Sequence, residues 1–240
     1  QKFSGYRQAG INRLSIGIQS FDQENLKALG RIHNSEEALG AVSIARRAGF
    51  DNINLDLMFG LPDQSRNQAL DDLGQAIGLH PEHISWYELT IEPNTEFFNR
   101  PPVQPDIDEL ADFSEAGIEL LEKNGYCRYE TSAFSEEGRQ SRHNLNYWHF
   151  GDYIGVGAGA HSKYTDARTG EILREAKTRL PKHYMDRIGS YVANTAPIPE
   201  QDLLAEYMMN ALRLIDGARW YLERLFISGL SSTYERGFAQ

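Results

Sequence analysis

This chain of 240 residues has only one cysteine, no long apolar run and no excess of positive charge. The single cysteine, Cys127, excludes an internal disulfide and any zinc or iron–sulfur site built from this chain's cysteines alone, and it indicates a reducing, cytoplasmic compartment. No stretch approaches the roughly 20 apolar residues of a membrane-spanning helix, and the mean hydropathy is −0.53, so we expect a soluble protein. With 24 basic and 34 acidic residues, the formal charge of −10 argues against a nucleic-acid partner.

Strands and helices alternate along the first half of the chain. Apolar and polar residues alternate in three segments, which predicts strands over residues 12–20, 52–59 and 83–91. Apolar residues at helical spacing predict helices over residues 35–47, 66–79 and 107–124. Ser35 is the expected N-cap of the first of these helices. Residues 3–10 resemble the end of a helix before a strand, so we expect further sequence to precede them.

Repeated strand–helix units predict a parallel sheet with right-handed crossovers and helices outside it. A closed eight-stranded barrel takes about 250 residues, so three or four such strands predict a partial α/β barrel. Regular alternation fades beyond residue 125, where we expect a strand over 129–135, a polar connection over 165–199 and an apolar helix over 203–216. The predicted domains are a partial barrel with its extension, 1–164, and a connection with a smaller, mostly helical region, 165–240.

Polar side chains mark the carboxyl ends of two predicted strands, where barrels hold their sites. Gln19 and Asp56 fall at these ends, and Arg31 follows a loop that returns over the same edge. A guanidinium can bind a carboxylate through paired hydrogen bonds, a carboxylate can bind an ammonium or ribose hydroxyls, and an amide can bind either. The three side chains are a candidate zwitterion site; the alternative is an aspartate that caps a helix and an arginine on the surface.

Residues 142–149 form a dense polar and aromatic block. Its histidines could ligate iron or zinc, and its tyrosine and tryptophan offer flat faces with polar tips. Such a block suits a flat aromatic ligand such as a tetrapyrrole; the alternative is an aromatic packing cluster with a surface histidine. The glycine-rich segment 155–161 lacks the ending of a phosphate-binding loop, so its small residues indicate close backbone packing, with His161 where the segment meets the barrel mouth.

Several motifs resemble those of one known family. They are residues 12–21, 29–33 and 54–62, and the His-Asn-x-x-Tyr-Trp motif from His143 to Trp148. On these residues the chain resembles the oxygen-independent coproporphyrinogen III oxidase-like proteins, which are radical S-adenosylmethionine proteins. The last motif points to the haem chaperone branch of that family. The resemblance runs from residue 6 to residue 217, and the tail from residue 218 does not continue as the family would.

The resemblance implies a partial (β/α)6 barrel that carries a [4Fe-4S] cluster and S-adenosylmethionine, followed by a smaller C-terminal domain. The family's cluster cysteines lie in a Cys-x3-Cys-x2-Cys motif. This chain lacks that motif, and we expect it upstream. Without those cysteines, the chain by itself cannot reduce S-adenosylmethionine to a radical.

The resemblance also assigns site residues by position. The implied contacts to S-adenosylmethionine are Gln19, Arg31 and Asp56, with Thr90 and His161 at weaker contact positions. The implied contacts to haem are His143, Asn144, Tyr147 and Trp148. No metal ligand is assigned within this chain.

Three functions are consistent with the resemblance. The first is a haem-binding chaperone that delivers haem to haem-requiring membrane enzymes. The second is an oxygen-independent coproporphyrinogen III oxidase, which forms protoporphyrinogen IX by oxidative decarboxylation. The third is a barrel that serves only as an interaction module. Because only the chaperone makes use of the His-Asn-x-x-Tyr-Trp motif, we favour it over the oxidase.

Overall fold

The computed structural model describes residues 2–31 and 35–217, without the side chain of Ser35, and it divides into two compact units. The first unit extends to residue 140 and the second begins at residue 141. The predicted domain boundary after residue 164 lies within the second unit. The N-cap role of Ser35, residues 32 and 33 of the second motif, and the tail from residue 218 lie outside the described residues.

The first unit contains the predicted alternation of strands and helices. Its elements are α1 (Lys2–Gln8), β1 (Leu14–Gln19), α2 (Gln23–Ala28), α3 (Ser35–Arg47), β2 (Ile53–Phe59), α4 (Arg66–Gly78), β3 (His83–Glu88), α5 (Glu96–Asn99), α6 (Ile107–Lys123), β4 (Cys127–Glu130) and β5 (Ala133–Ser135). The second unit contains α7 (Arg142–Trp148), β6 (His161–Thr165), β7 (Ile172–Lys177), α8 (Pro181–Met185), β8 (Val192–Pro197) and α9 (Glu200–Ala211).

A five-stranded sheet of order β1-β2-β3-β5-β4 forms the centre of the first unit. Strands β1, β2 and β3 are parallel, as predicted, and β5 and β4 add to β3 as an antiparallel pair. One face of the sheet carries apolar side chains such as Ile18, Leu55 and Ile84, which are fully buried in the main core. Since side chains alternate across a strand, the intervening polar residues share the opposite face.

The single strand predicted over 129–135 is wrong, because the chain reverses in the middle of it. Strand β4 ends at Glu130, and its carboxylate accepts hydrogen bonds from the backbone N–H and the hydroxyl of Ser132, both at 3.2 Å. These bonds close a turn, and β5 then runs back along β4. The result is a hairpin rather than one strand.

Local signals in the sequence fix the ends and the packing of the helices that flank the sheet. Ser65 and Gln68 form a capping box at the start of α4, and Asp106 and Glu109 form one at the start of α6. In the middle of α6, a Cβ atom on Gly117 would lie only 1.9 Å from the ring of a tryptophan of β3. Glycine is needed there because helix and sheet approach closely.

The second unit holds an antiparallel sheet of order β6-β7-β8, which corrects the expectation of a polar connection over 165–199 and of a mostly helical region. These strands escape sequence reasoning because apolar and polar residues do not alternate regularly along them and β8 is almost wholly exposed. The unit's small core joins Phe150 and Ile198 to Tyr207 and Ala211 of α9. Among the helices of the described residues, none has the length and apolar character needed to cross a bilayer.

Candidate functional site

The polar face of the parallel strands carries a hydrogen-bonded row around Asp56. In the strand register, Ser15 lies opposite Asn54, and Gly17 lies opposite Asp56. The Ser15 hydroxyl donates to Oδ2 of Asp56 at 2.8 Å, and Nδ2 of Asn54 donates to Oδ1 at 2.8 Å. Asp56 is half-buried and does not cap a helix, so the alternative stated for it above is wrong.

Gln19 ends β1 in a backbone conformation that non-glycine residues rarely adopt. Its φ is 72°, and the register of β1 against β2 shifts between Gly17 and Gln19. A Cβ atom on Gly17 would lie 2.7 Å from Nε2 of Gln19, so the amide occupies the space that a side chain at Gly17 would fill. The strand end is thus shaped to place this amide over the polar face.

Tyr87 is a site residue that sequence reasoning missed. Its hydroxyl donates to Oε1 of Gln19 at 3.0 Å, which leaves Nε2 of Gln19 as the free end of the amide and makes it a donor. Burial raises the pKa of Tyr87; the charge of Asp56 raises it further and the charge of Arg31 lowers it. Tyr87 is therefore within electrostatic reach of both charged residues that the sequence singled out. The alternation His83, Ser85, Tyr87 along β3 was the signal that could have found it.

Asp72 of α4, which is almost fully buried, holds the loop that follows β1. Its carboxylate accepts from the Ser20 hydroxyl at 2.6 Å and from the Phe21 backbone N–H at 2.7 Å. Burial, opposed by these hydrogen bonds, raises the pKa of Asp72 to about 6. Because the residues it holds directly follow Gln19, Asp72 fixes the position of the strand end.

Two further predicted residues lie near this edge of the sheet and are exposed. The backbone N–H of Arg31 donates to the carbonyl of Leu26, which closes the C-terminal end of α2 and leaves the guanidinium in solvent. Thr90 follows β3, and its hydroxyl contacts Glu92 at 3.4 Å. The role of Thr90 at the site stays a prediction.

In the second unit, α7 holds the polar and aromatic block. Ser141 caps the helix by accepting from the backbone N–H of the half-buried Asn144. His143 is exposed, and its ring lies 4.9 Å from that of Tyr147, edge to face, one helical turn away. Trp148 is packed instead under the guanidinium of Arg213, which lies 4.4 Å from the ring centroid. An exposed histidine beside packed aromatic rings is what both interpretations of the block predicted.

A buried lysine supports the end of α7. Lys163 of β6 is 4% exposed; its Nζ donates to the backbone carbonyl of Phe150 at 2.8 Å and lies 3.9 Å from the centre of the Phe150 ring. Burial lowers the pKa of Lys163, and the nearby carboxylate of Asp152 opposes that shift. The lysine holds the segment that follows the block, which is a structural role.

His161 begins β6 and is exposed. A Cβ atom on Gly155 would lie 2.1 Å from the carbonyl oxygen of His161, so the glycine-rich segment does pass close to another backbone, as predicted. No contact of the His161 ring bears on S-adenosylmethionine, and its assignment stays a prediction.

The fold and the site define a class of protein. The profile of the radical SAM superfamily matches residues 2–75, the stretch that contains β1, β2 and the three residues first singled out. A solved structure of coproporphyrinogen III oxidase (HemN) from Escherichia coli, described as a radical SAM enzyme, matches with a TM-score of 0.70 and 21% identity, over 88% of this chain and 52% of that one. The chain has a partial radical SAM fold, which confirms the predicted fold class apart from the mostly helical C-terminal region corrected above.

The particular branch follows from closer relatives. The chain is 53% identical to "Heme chaperone HemW" of Escherichia coli (strain K12) over 217 residues, which is 90% of this chain and 57% of the relative. It is also 53% identical to "Heme chaperone HemW" of Haemophilus influenzae, over 90% of this chain and 56% of the relative. The resemblance to the haem chaperone branch is thus confirmed. The chain spans little more than half the length of these relatives.

A radical SAM region implies S-adenosylmethionine and an iron–sulfur cluster. The first unit offers an amide donor, a carboxylate and a guanidinium at one sheet edge, a set that suits the amino-acid and ribose groups of S-adenosylmethionine. The cluster does not fit the described residues: among them no group of three or more His, Cys, Asp or Glu side chains could hold a metal ion, and Cys127 is exposed on β4. The described residues therefore offer contacts for S-adenosylmethionine but no ligand set for a cluster.

Proposed function

We propose that this chain is part of a cytoplasmic haem chaperone that holds S-adenosylmethionine and haem and passes haem to haem-requiring membrane enzymes. The names of the relatives support a chaperone and give no support to the oxidase alternative. The observation that carries the haem part is the exposed His143 beside Tyr147 on α7. An imidazole nitrogen can ligate haem iron, and the adjacent aromatic ring offers an apolar surface to a porphyrin.

The proposed S-adenosylmethionine contacts have separate roles. Asp56 accepts hydrogen bonds from ribose hydroxyls or an ammonium group, because its two oxygens keep lone pairs beyond the donors on Ser15 and Asn54. Gln19 presents Nε2, a donor, to an acceptor such as a carboxylate. Arg31 adds a positive charge at the same edge. When bound, S-adenosylmethionine supplies a sulfonium centre, and these residues orient it.

The experiment is a haem titration of the chain, followed by absorbance, with matched histidine variants. His143→Ala is expected to weaken haem binding about tenfold or more and to shift the Soret band, because an axial ligand is lost. His183→Ala, which removes another exposed histidine in the same unit, is the control and is expected to bind as the wild type does. Tyr147→Leu should weaken binding less and leave the band position unchanged.

Two results would contradict the haem site. One is a wild-type spectrum and affinity for His143→Ala. The other is an equal loss in His143→Ala and His183→Ala, which would indicate nonspecific binding of haem to surface histidines. A test of the oxidase alternative is the conversion of coproporphyrinogen III by the full-length protein with its cluster restored; we expect none.

A further inference from the structure

A buried histidine lies at the far end of the row that holds Asp56. His83 is 1% exposed, on the polar face of β3, and it pairs in register with Asn54 of β2. Its Nδ1 lies 2.6 Å from Oδ1 of Asn54, and its Nε2 lies 2.8 Å from the hydroxyl of Tyr129. Because an amide oxygen only accepts, Nδ1 carries the proton and Nε2 accepts from Tyr129.

This assignment fixes the amide of Asn54. Its oxygen accepts from His83 and, at 3.1 Å, from the hydroxyl of Ser85, while its nitrogen donates to Ser15 at 2.7 Å and to Asp56 at 2.8 Å. A flipped amide would turn its NH2 group toward the two donors and its oxygen toward the carboxylate. Only one orientation satisfies every partner, so the direction of donation runs from Tyr129 to Asp56.

The imidazole stays neutral, as this arrangement requires. Burial lowers the pKa of His83 to about 3, and the positive charge of Arg13 lowers it in the same direction. A protonated ring could not accept the hydroxyl of Tyr129, so the neutral form is the one that completes the row.

We propose that His83, held by Tyr129, is a positioning residue for the S-adenosylmethionine site: through Asn54 it holds the carboxylate of Asp56 in the orientation that receives the cofactor. The inference rests on the proposed role of Asp56. It adds that a residue with no contact to the cofactor sets the affinity, because a carboxylate with one donor removed can rotate away from its binding orientation.

The test compares the affinity of S-adenosylmethionine for the chain and four variants by isothermal titration. His83→Phe keeps a ring but removes the donor, whereas His83→Asn keeps a donor near the place of Nδ1. Tyr129→Phe removes a single hydroxyl from a half-buried ring, so it reports on the row even where a substitution at His83 disturbs folding. Asp56→Ala is the reference. The exchange rate of the Asn54 side-chain amide protons, measured by NMR, shows whether the amide is held in place and needs no cofactor.

We expect Asp56→Ala to weaken binding about a hundredfold and His83→Phe about tenfold, the effect of roughly one hydrogen bond. His83→Asn should recover most of that loss, and Tyr129→Phe should lose about threefold. The Asn54 amide protons should exchange slowly in the wild type and in His83→Asn, and rapidly in His83→Phe.

The possible failures are distinguishable. An unchanged affinity in Asp56→Ala, or no binding by the wild type, overturns the proposed S-adenosylmethionine site. A loss in Asp56→Ala together with wild-type affinity in His83→Phe and Tyr129→Phe overturns the positioning role and leaves the site. Equal losses in His83→Phe and His83→Asn, with slow Asn54 exchange in both, also overturn it, since they indicate a packing role alone.

Discussion

The buried carboxylate of Asp72 makes the stability of the first unit depend on pH in an unusual direction. Its pKa is raised from 3.8 to about 6 by burial, so the folded state binds the proton more tightly than the unfolded chain does. The stability that Asp72 contributes therefore grows as the pH falls through 6, and it is complete below 3.8. The shift is worth about 3 kcal/mol in full, and about 2 kcal/mol between pH 7 and pH 4.

The substitution Asp72→Asn removes this proton-linked effect and keeps the local contacts. The amide oxygen can accept from the Phe21 backbone N–H, and the amide nitrogen can donate to the hydroxyl oxygen of Ser20. The assay is urea unfolding of the wild type and the variant at pH 7 and at pH 4, followed by circular dichroism. From pH 7 to pH 4, we expect the free energy of unfolding of the wild type to rise by about 2 kcal/mol relative to Asp72→Asn.

Asp71→Asn is the matched control, because it removes the exposed carboxylate that precedes Asp72 on the same helix. The difference in the free energy of unfolding between Asp71→Asn and the wild type should change by less than about 0.5 kcal/mol between the two pH values. The reasoning is refuted if the difference in the free energy of unfolding between the wild type and Asp72→Asn stays constant from pH 7 to pH 4, or changes in the opposite direction. Either result means that the folded state does not hold the proton.

Four other substitutions test separate features of the structure. Gly17→Ala should leave the free energy of unfolding within about 0.5 kcal/mol of the wild-type value, because only the flexible end of Gln19 must move. The same substitution should weaken S-adenosylmethionine binding about tenfold in a titration. Unchanged binding would contradict the role of the Gln19 amide. In urea unfolding, Gly117→Ala should lower the free energy of unfolding by about 2 kcal/mol or more, because its Cβ atom meets the tryptophan of β3. Gly74→Ala on α4, where a Cβ atom meets open space, should raise the free energy of unfolding by about 0.5 kcal/mol. Burial depresses the pKa of His83 in the folded state to about 3. From pH 7 to pH 4, the free energy of unfolding of the wild type should therefore fall by about 3 kcal/mol relative to that of His83→Asn. A parallel pH dependence in both proteins would show that the ring is not buried in its neutral form.

Much of the first unit could be predicted because its signals are local. The alternation in β1 and β2 predicted which residues face the helices, and the polar residues left over included Gln19 and Asp56. Tyr87 was missed because the periodicity of β3 was used to predict a strand and not to search its polar face. The hairpin of β4 and β5 was missed because a side chain to backbone contact at Glu130 decides it.

The second unit shows the limit of periodicity. Its antiparallel strands are short and show no regular alternation of apolar and polar residues, so periodicity does not separate them from a connecting loop. Their pairing joins residues more than ten positions apart, such as Ser162 with Glu175. The block on α7 was recognisable from its residue types, but the sequence could not tell the exposed His143 from the packed Trp148.

The sequence by itself determined the class of fold, the family and the residues that face a common sheet edge, because hydrophobic periodicity and motif order are properties of neighbours along the chain. Only the tertiary structure decided how those residues are held: that Tyr87 orients the amide of Gln19, that His83 and Asn54 orient Asp56, and that Asp72 anchors the loop beneath them. The contacts of Tyr87 with Gln19, of His83 with Asn54 and of Asp72 with Phe21 join residues about 30 to 70 positions apart through strand register and helix packing. Hydrogen-bond direction and burial depend on that three-dimensional proximity, which no local pattern encodes.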